Sequence, residues 1–454
     1  MRILKIIPGS GDGFLCENCL RDQALIAKLH EAGHEVTVIP IYLPMPEKSD
    51  QLSVINDQKR GEGSQLATQG VASAHSTPQF YGAVRVYLEH RFPIFKRAPL
   101  WVKRLLDSRP ILKFAAKQAA TSSSKNLGDL TLSVLRGEHG GQATELDELC
   151  RWLRETQEKP DLIHLSNALL LGLARRLKEV FDVPIVCSLQ DEDTWIDAMP
   201  APMANLIWEE IRARLSDVSG FLTVSEYFAS KFPPRLGIPS NLVRIVHPGI
   251  DASLYPPACP SLPPVWNVLL DPNDLKSLEF ILRAFVQARR YLACANLQLH
   301  CSGTTVGNGN RALLSCLREI IGKLGKDEQA VRLSPLMTDD KERLKFIQSS
   351  SVFTVLHRVD VAFDLSLLEA MASGVPALQP ASGANPEIFA LAAGGVLFEP
   401  NNADALAETL VHLFADPSHL PAFAHRGHQE VAEQFTVARM AQETLAAYEM
   451  LRNH

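Results

Sequence analysis

The sequence predicts an α/β protein of two doubly wound, Rossmann-like domains that face a cleft. Three observations support this prediction. The first is that short apolar, β-branched runs alternate with helical patterns in two successive series. The second is that the proline-rich segment 256–264 separates the two series. The third is length, because 454 residues are enough for two large domains of this class.

Composition excludes several other classes of protein. The chain is 46% hydrophobic and 21% charged, which is ordinary globular usage, so neither disorder nor a coiled coil is expected. A formal net charge of −6 argues against a general nucleic-acid binder. Apolar runs fall short of the roughly 20 residues that a membrane-spanning helix needs, and the first run is too short for a signal peptide. We therefore predict a cytoplasmic protein.

The chain opens with a βα unit. Residues 2–8, RILKIIP, form an apolar run, a helical pattern extends from about Cys19 to Ala32, and a second apolar run, EVTVIPIY, follows. A strand, a helix and a strand in this order require a parallel sheet with a right-handed crossover.

The loop of this unit is rich in glycine. It runs from Gly9 to Gly13, where the first strand meets the first helix. The backbone amides of Gly11 and Gly13 are therefore candidates to bind a phosphate at the helix N-terminus. Phe14 breaks the spacing of a dinucleotide fingerprint, and a tight turn without a ligand is an equal alternative.

The first domain is predicted to extend over residues 1–255. A polar stretch and a mostly helical one form an insertion at about 46–156. The later strands of this domain are expected at DLIHLSN, PIVCSL, GFLTVS and VRIVHPG, with helices at ALLLGLARRLKEVF and near residues 202–215. His164, in DLIHLSN, is expected to be a core histidine with satisfied hydrogen bonds, whereas His247 either lines the cleft or has no functional role.

The second domain is predicted over residues 265–435, after a linker at 256–264 that can continue neither a helix nor a sheet. Strands are expected at WNVLLD, LQLHCSG, VRLSPL, SVFTVLH, VPALQP and GVLFEP, and helices at about 277–292, 311–325, 339–349, 367–373 and from 403.

A segment of the second domain, LSLLEAMASGVPALQPASGANPE, carries the most specific chemistry. We expect Glu369 to open a helix at the end of a strand, where its carboxylate accepts two ribose hydroxyls, although the helix dipole alone would also favour a carboxylate there. We expect the loop of Gly383 and Ala384 to offer backbone amides to a diphosphate, with Glu387 beside it.

This segment resembles the C-terminal signature of family 4 glycosyltransferases with the GT-B fold. MRILKIIPG, LHEAGHEVTVI, VRIVHPGIDASLY and QFTVARMAQETLAAYEML are similar to other strings of that family, and GFLCENCLRD matches a loop of a subset of it. The resemblance implies that residues 436–454 form a terminal helix, which crosses back to the first domain. It also implies metal-independent, retaining transfer from a UDP- or GDP-linked sugar to a glycan, a lipid-linked molecule or a small molecule, with no cofactor.

Two positions of the second domain depart from the family pattern. Lys276 matches a lysine that neutralises the leaving diphosphate, but the residue five positions earlier, an arginine in the family, is Asp271. Glu369 matches the second of two paired glutamates, while Val361 replaces the first. An anion at a diphosphate site would be unfavourable by several kcal/mol in a partly desolvated cleft, on the order given by Coulomb's law.

A third departure lies in the first domain. Gln190 stands where many relatives place a catalytic histidine, and it precedes Asp191-Glu192-Asp193. This string is similar to the metal-binding motif of the other main glycosyltransferase fold, but it lies in the acceptor domain. We therefore predict no metal site, and we expect Asp191 or Glu192 to contact an acceptor hydroxyl.

Three hypotheses remain open. The first is an active glycosyltransferase with a nucleotide-sugar as donor substrate. The second is a weakened or inactive member that binds a nucleotide-sugar or supports a partner enzyme. The third, a metal or redox module at Cys16 and Cys19, is disfavoured because neither a second cysteine pair nor a histidine pair accompanies them. The basic amphipathic stretch 104–120 predicts either peripheral contact with the inner face of a membrane or an ordinary surface helix.

Overall fold

The computed structural model divides the chain into two compact units. The first contains Met1–Val224, Phe228–Val246 and Met440–His454, and the second contains Ser225–Tyr227 and His247–Arg439. The described residues are 1–8, 17–41, 128–258, 263–270, 275–305, 324–335, 339–357, 359–416 and 418–452, with 319, 322 and 337.

The main boundary lies at residue 247, before the proline-rich segment in which the sequence placed it. Residues that follow this boundary are already hydrogen-bonded within the second unit. The Ile250 N–H donates to the Phe435 carbonyl at 2.8 Å, and the Ala258 N–H donates to the Ser373 carbonyl at 2.7 Å. The prolines identify a segment that cannot continue a helix or a strand. The two units divide elsewhere, at residue 247.

The first unit is built on a parallel sheet of six strands. In chain order these are β1 (Arg2–Ile7), β2 (Glu35–Pro40), β3 (Leu162–Leu165), β4 (Ile185–Leu189), β5 (Gly220–Thr223) and β6 (Val243–Ile245). Their order in the sheet is β2-β1-β3-β4-β5-β6. Strands β3, β4 and β5 are buried throughout, as expected of parallel strands that are covered on both faces.

Helices surround this sheet. They are α1 (Glu17–Glu31), α2 (Gly128–Leu135), α3 (Ala143–Thr156), α4 (Ala174–Phe181), α5 (Glu192–Asp197), α6 (Ala201–Arg214) and α7 (Glu226–Leu236), of which the first two residues of α7 belong to the second unit. The helix predicted from ALLLGLARRLKEVF begins as a 3₁₀ segment, Ala168–Leu173. There the chain approaches α2 so closely that a Cβ on Gly172 would lie 2.1 Å from the Val134 carbonyl oxygen.

The second unit also contains a parallel sheet of six strands. These are β7 (Val265–Leu270), β8 (Gln298–Thr305), β9 (Val331–Pro335), β10 (Val352–Leu356), β11 (Ala377–Pro380) and β12 (Gly395–Phe398). The sheet order is β12-β11-β10-β7-β8-β9. The buried Trp266 of β7 packs in the core and donates from Nε1 to Thr354 Oγ1 at 2.8 Å. The predicted class, two doubly wound α/β units, is confirmed.

The helices that follow β7 complete the described chain. They are α8 (Leu275–Ala288), α9 (Asp340–Gln348), α10 (Leu365–Ala372), α11 (Asn385–Ala392), α12 (Ala403–Ala415), α13 (His419–Gln434) and α14 (Val437–Arg452). Residues of α14 from Met440 onward belong to the first unit. Across the residues that the structure describes, no helix is long and apolar enough to cross a membrane.

Several sequence-based predictions fall outside the described residues. These are the glycine loop with Gly11 and Gly13, the thiol of Cys16, the acidic Asp271, the basic stretch 104–120, most of the predicted insertion, and most of the helix predicted at about 311–325.

Tyr448 anchors α14 to the first sheet. Its ring is fully buried, and its Oη lies 2.6 Å from Nδ1 of His164, a residue of β3. The other imidazole nitrogen, Nε2, lies 2.7 Å from Ser188 Oγ in β4. Burial, with the charges of Lys5 and Arg21, keeps the pKa of His164 well below its usual range. The imidazole is therefore neutral at pH 7, and His164 is the satisfied core histidine that was expected.

We predict that Tyr448→Phe lowers the free energy of unfolding by about 1–2 kcal/mol, because the ring still packs but the bond to His164 is lost. Urea unfolding followed by circular dichroism measures the change. Tyr291→Phe is the matched control, since Tyr291 is 56% exposed, and it should unfold like the wild type. Equal midpoints for the wild type and Tyr448→Phe would contradict the prediction.

Candidate functional site

Gln190 lies at the carboxyl edge of the first sheet, directly after β4. Its side-chain Oε1 accepts a hydrogen bond from Arg21 Nη1 at 2.6 Å, and its backbone N–H donates to Glu192 Oε2 at 2.7 Å. The residue is 8% exposed. Both its backbone and its side chain are therefore held by ionisable groups. Its predicted role in catalysis stays a prediction.

Glu192 joins the loops that follow β3 and β4. Its Oε1 accepts the N–H of Ala168 at 2.9 Å, while its Oε2 accepts that of Gln190. Burial raises the pKa of Glu192 to about 7, although these backbone bonds oppose the shift. The sequence favoured Asp191 or Glu192 as an acceptor contact. In the structure, the Glu192 carboxylate bonds two loops of its own unit. An acceptor contact by Asp191 or Glu192 stays a prediction.

The other two carboxylates of this string have different surroundings. Asp191 precedes α5 with φ 60° and ψ 15°, a left-handed conformation that aspartate tolerates better than most residues. Asp193 Oδ2 lies 2.9 Å from Lys231 Nζ. In the described part of the chain, no group of three or more His, Cys, Asp or Glu side chains could hold a metal ion.

A buried ion cluster lies beneath Gln190. Lys5 of β1 is fully buried, with its Nζ 3.3 Å from Asp22 Oδ1. The same oxygen accepts from Arg21 Nη2 at 3.1 Å and from Arg21 Nε at 3.3 Å. Burial lowers the pKa of Lys5, and the Asp22 carboxylate opposes this shift. The sequence singled out the string that contains Arg21 and Asp22, but not their partners.

In the second unit, Glu369 lies in the second turn of α10 and not at its start. The prediction that Glu369 opens this helix was wrong. Asp364 is the N-cap, and its Oδ1 accepts the N–H groups of Ser366 and Leu367 at 2.9 and 3.3 Å. Aspartate caps a helix well because its short carboxylate reaches these amides, so the helix begins at Leu365.

The Glu369 carboxylate has three donors within its own unit. Arg343 binds both of its oxygens, with Nη2 2.8 Å from Oε1, and Tyr255 Oη donates to Oε1 at 3.0 Å. Burial disfavours the charge of Arg343, but Glu369 more than offsets this and raises the pKa of Arg343. A ribose contact by Glu369 stays a prediction, and the ribose would share the carboxylate with these donors.

The loop after β11 packs on the segment that contains Val361. Gly383 has φ 59°, and a Cβ there would lie 2.9 Å from the Val361 carbonyl oxygen. The Ala384 N–H donates to the same carbonyl at 3.3 Å. The amide of Ala384, which was expected to face a diphosphate, is thus bonded to the chain itself, while the predicted role of Gly383 is untested.

Glu387 lies in the first turn of α11. Its Oε1 lies 2.5 Å from His247 Nε2 and accepts the Glu226 N–H at 2.8 Å, while its Oε2 accepts the Tyr227 N–H at 3.1 Å. Burial opposes the charge of Glu387, but the bonds to His247 and to the two amides outweigh it and lower its pKa. The carboxylate therefore holds residues 226–227 within the second unit. A nucleotide contact by Glu387 stays a prediction.

Lys276 is exposed and is the second residue of α8, which follows β7. Position 361 follows β10, and Gly383 follows β11. Since the carboxyl ends of parallel strands share one edge of a sheet, these predicted residues lie along the same edge, where ligands of doubly wound sheets bind.

The pKa of Glu192 predicts a pH dependence. Its value of about 7 in the folded chain exceeds the ordinary 4.5, so the stability that its proton contributes is complete below pH 4.5 and is lost as the pH rises through 7. Relative to Glu192→Gln, the wild type should lose up to about 3 kcal/mol between pH 5 and pH 8. Unfolding in urea at both pH values measures this. The exposed control Glu209→Gln should lose as much stability between pH 5 and pH 8 as the wild type does. If the difference in unfolding free energy between the wild type and Glu192→Gln is the same at both pH values, the prediction is refuted.

A second prediction concerns the pair of Arg343 and Glu369. Arg343→Met should lower the free energy of unfolding by about 3–5 kcal/mol, because it leaves a buried carboxylate without its cation. The double variant Arg343→Met/Glu369→Gln should regain most of this loss, and Lys345→Met, exposed on the same helix, should have little effect. Chemical denaturation gives the three values. A double variant as unstable as Arg343→Met would show that the charge is not the cause.

Two family models match the chain. The model of Glycosyltransferase Family 4 matches residues 135–254, and that of Glycosyl transferases group 1 matches residues 269–416. The MMP alpha-(1->4)-mannosyltransferase of Mycolicibacterium hassiacum is 24% identical over 302 residues, which cover 64% of this chain and 70% of that protein. The exopolysaccharide phosphotransferase SCO2592 of Streptomyces coelicolor is 33% identical over 125 residues, but the match spans 12% of its length and 27% of this chain.

Solved structures are similar in fold to this chain. Anabaena Alr3699/HepE in complex with UDP has a TM-score of 0.61 at 15% identity, covering 99% of this chain and 100% of that one. The sucrose-phosphate synthase (tll1590) from Thermosynechococcus elongatus also has a TM-score of 0.61, at 16% identity, covering 99% of this chain and 98% of its own. The family matches, read with the shared fold, show that the chain belongs to the family 4-like, group 1 glycosyltransferases with the GT-B fold.

Proposed function

We propose that the protein is a metal-independent, retaining glycosyltransferase that uses a UDP- or GDP-linked sugar as its donor substrate. The observation that carries this proposal is the group 1 glycosyltransferase match over residues 269–416, which contain Lys276, Glu369, Gly383 and Glu387. The mannosyltransferase relative supports sugar transfer, and HepE structures in complex with UDP and with UDP-glucose support a uridine donor.

In this proposal, Lys276 stabilises the departing diphosphate. It is an exposed cation in the first turn of a helix, where the helix dipole also favours negative charge. A cation placed there supplies part of the charge stabilisation for which other enzymes use a metal ion. Glu369 accepts a ribose hydroxyl through the acceptor capacity that Arg343 and Tyr255 leave.

The acceptor belongs to the first unit in this proposal. The side chain of Gln190 contacts it or the transferred sugar, and the acceptor is a glycan, a lipid-linked molecule or a small molecule. The retaining outcome rests on the family resemblance, and the anomeric configuration of the product tests it. The cytoplasmic location and the membrane contact stay predictions.

A weakened or inactive protein that binds a nucleotide-sugar or supports a partner enzyme is the second candidate. Three observations favour it: Glu369 is paired with Arg343, the amide of Ala384 is bonded to Val361, and an acid, Asp271, occupies the sequence position of the family's arginine. Each removes or reduces a group that would otherwise meet the diphosphate or the sugar.

Incubation with a panel of UDP- and GDP-sugars distinguishes the two candidates. The proposal predicts release of nucleotide from at least one donor, and Lys276→Met should lower kcat on the order of 10²-fold because it removes one preorganised charge. Lys341→Met, exposed on α9, is the matched control. Calorimetry with UDP and GDP runs in parallel. Binding without release supports the second candidate. If there is neither binding nor release, the proposal is refuted, and of the second candidate only a role that supports a partner enzyme is left.

A further inference from the structure

Gln190 is held at both its backbone and its side chain. Its N–H donates to Glu192, whose other carboxylate oxygen accepts the Ala168 N–H from the loop after β3. Its Oε1 accepts from Arg21 at 2.6 Å, and Asp191, the next residue, turns the chain in a left-handed conformation. A side chain held in this way has one orientation available, which is what a preorganised ligand-binding group requires.

The chemistry of Arg21 decides which end of the amide it meets. A guanidinium carries N–H donors and no acceptor, so it can pair only with the amide oxygen of Gln190. Rotating the amide by half a turn would set its NH₂ group against these donors. The Nε2 hydrogens are therefore kept at the opposite end, where they can donate to an oxygen atom.

Arg21 is itself held in place. Its Nε and Nη2 both meet Asp22 Oδ1, which also binds Lys5 Nζ. Arg21, Asp22 and Lys5 are 6%, 4% and 0% exposed. Packing apolar residues in place of a buried ion cluster is often neutral or stabilising, so its presence is weak support for a role in stability alone. A role in orienting a neighbouring group agrees better with these contacts.

We propose that Arg21 is a positioning residue that holds the Gln190 amide with its Nε2 hydrogens directed at an oxygen of the sugar-bearing substrate. This inference rests on the proposed function. It specifies the chemistry of the subsite. The first unit offers the sugar of this substrate a neutral hydrogen-bond donor, the Gln190 amide, and not a titratable side chain. Arg21 acts through Gln190 and does not touch the substrate.

The first test follows the amide itself. In protein labelled with ¹⁵N-glutamine, the side-chain NH₂ signals of Gln190 are assigned by their loss in Gln190→Ala. In the wild type both hydrogens should resonate away from the values of a free glutamine amide and should exchange slowly with solvent. Arg21→Met should move these signals to the free-glutamine values and speed their exchange, Arg21→Lys should retain part of the difference, and Arg154→Met, exposed in the same unit, should retain all of it. Unchanged signals in a folded Arg21→Met would overturn the proposal.

The second test is kinetic and uses the donor that releases nucleotide fastest. Arg21→Met and Gln190→Ala should each lower kcat on the order of 10²-fold, with the KM for the donor within about twofold of the wild type. Combining them should cause no further loss, because both remove the same bond to substrate. A double variant slowed by the product of the two single effects would overturn the proposal. If the wild type releases no nucleotide, the proposed function fails, and the NMR signals still decide whether Arg21 orients Gln190.

Discussion

The carboxylate of Asp22 is the constraint on which the carboxyl edge of the first sheet depends. It pairs with two buried basic side chains at once, Lys5 in β1 and Arg21 beside it in α1. Arg21 extends to Gln190 after β4, and the Nζ of Lys5 lies 3.1 Å from Nδ1 of His164 in β3. Since a buried charge that loses its partner costs about 3–5 kcal/mol, this cluster joins one helix and three neighbouring strands of the sheet.

In the second unit, two glutamates likewise pair with groups that are distant from them in the sequence. Glu369 fixes Arg343 and Tyr255, which are distant in sequence, and Glu387 fixes His247 and the backbone at residues 226–227. A carboxylate buried without a partner is strongly unfavourable, so each of these carboxylates is paired. Charged residues that the sequence assigns to ligand binding therefore also hold their own unit together.

The sequence predicted the elements whose signals are local. Strand β1 and helix α4 follow apolar periodicity, and their bounds differ from the predicted ones by only a few residues or a 3₁₀ segment. Helix α7 was missed because Pro233 and Pro234 lie inside it, and proline ordinarily ends a helix. The start of α10 was misplaced because Asp364, and not Glu369, caps the helix, and aspartate is the better N-cap of the two.

The partners in the candidate site were less predictable. Arg21 and Gln190 are 169 positions apart, and Tyr255 and Glu369 are 114 apart. Only the folded sheets bring such residues together, and the pattern around each gives no local signal of the other. A family motif can identify one member of such a pair, as it did for Glu369, but the second member depends on this chain.

These pairings limit what the two glutamates of the second unit can do for a donor. An ionised carboxylate has about four acceptor positions. Three donors meet Glu369, and three meet Glu387, so each can accept about one further hydrogen bond. The two hydroxyls of a ribose then cannot both be held by Glu369 unless Tyr255 or Arg343 yields. The fixed orientation of these two carboxylates would favour catalysis, because such groups need no reorganisation as charge develops. With fewer free acceptor positions, however, they would bind the donor less strongly. Under the proposed function, the binding energy for the diphosphate is therefore expected to come mainly from Lys276 and from helix N-termini at the same edge of the sheet.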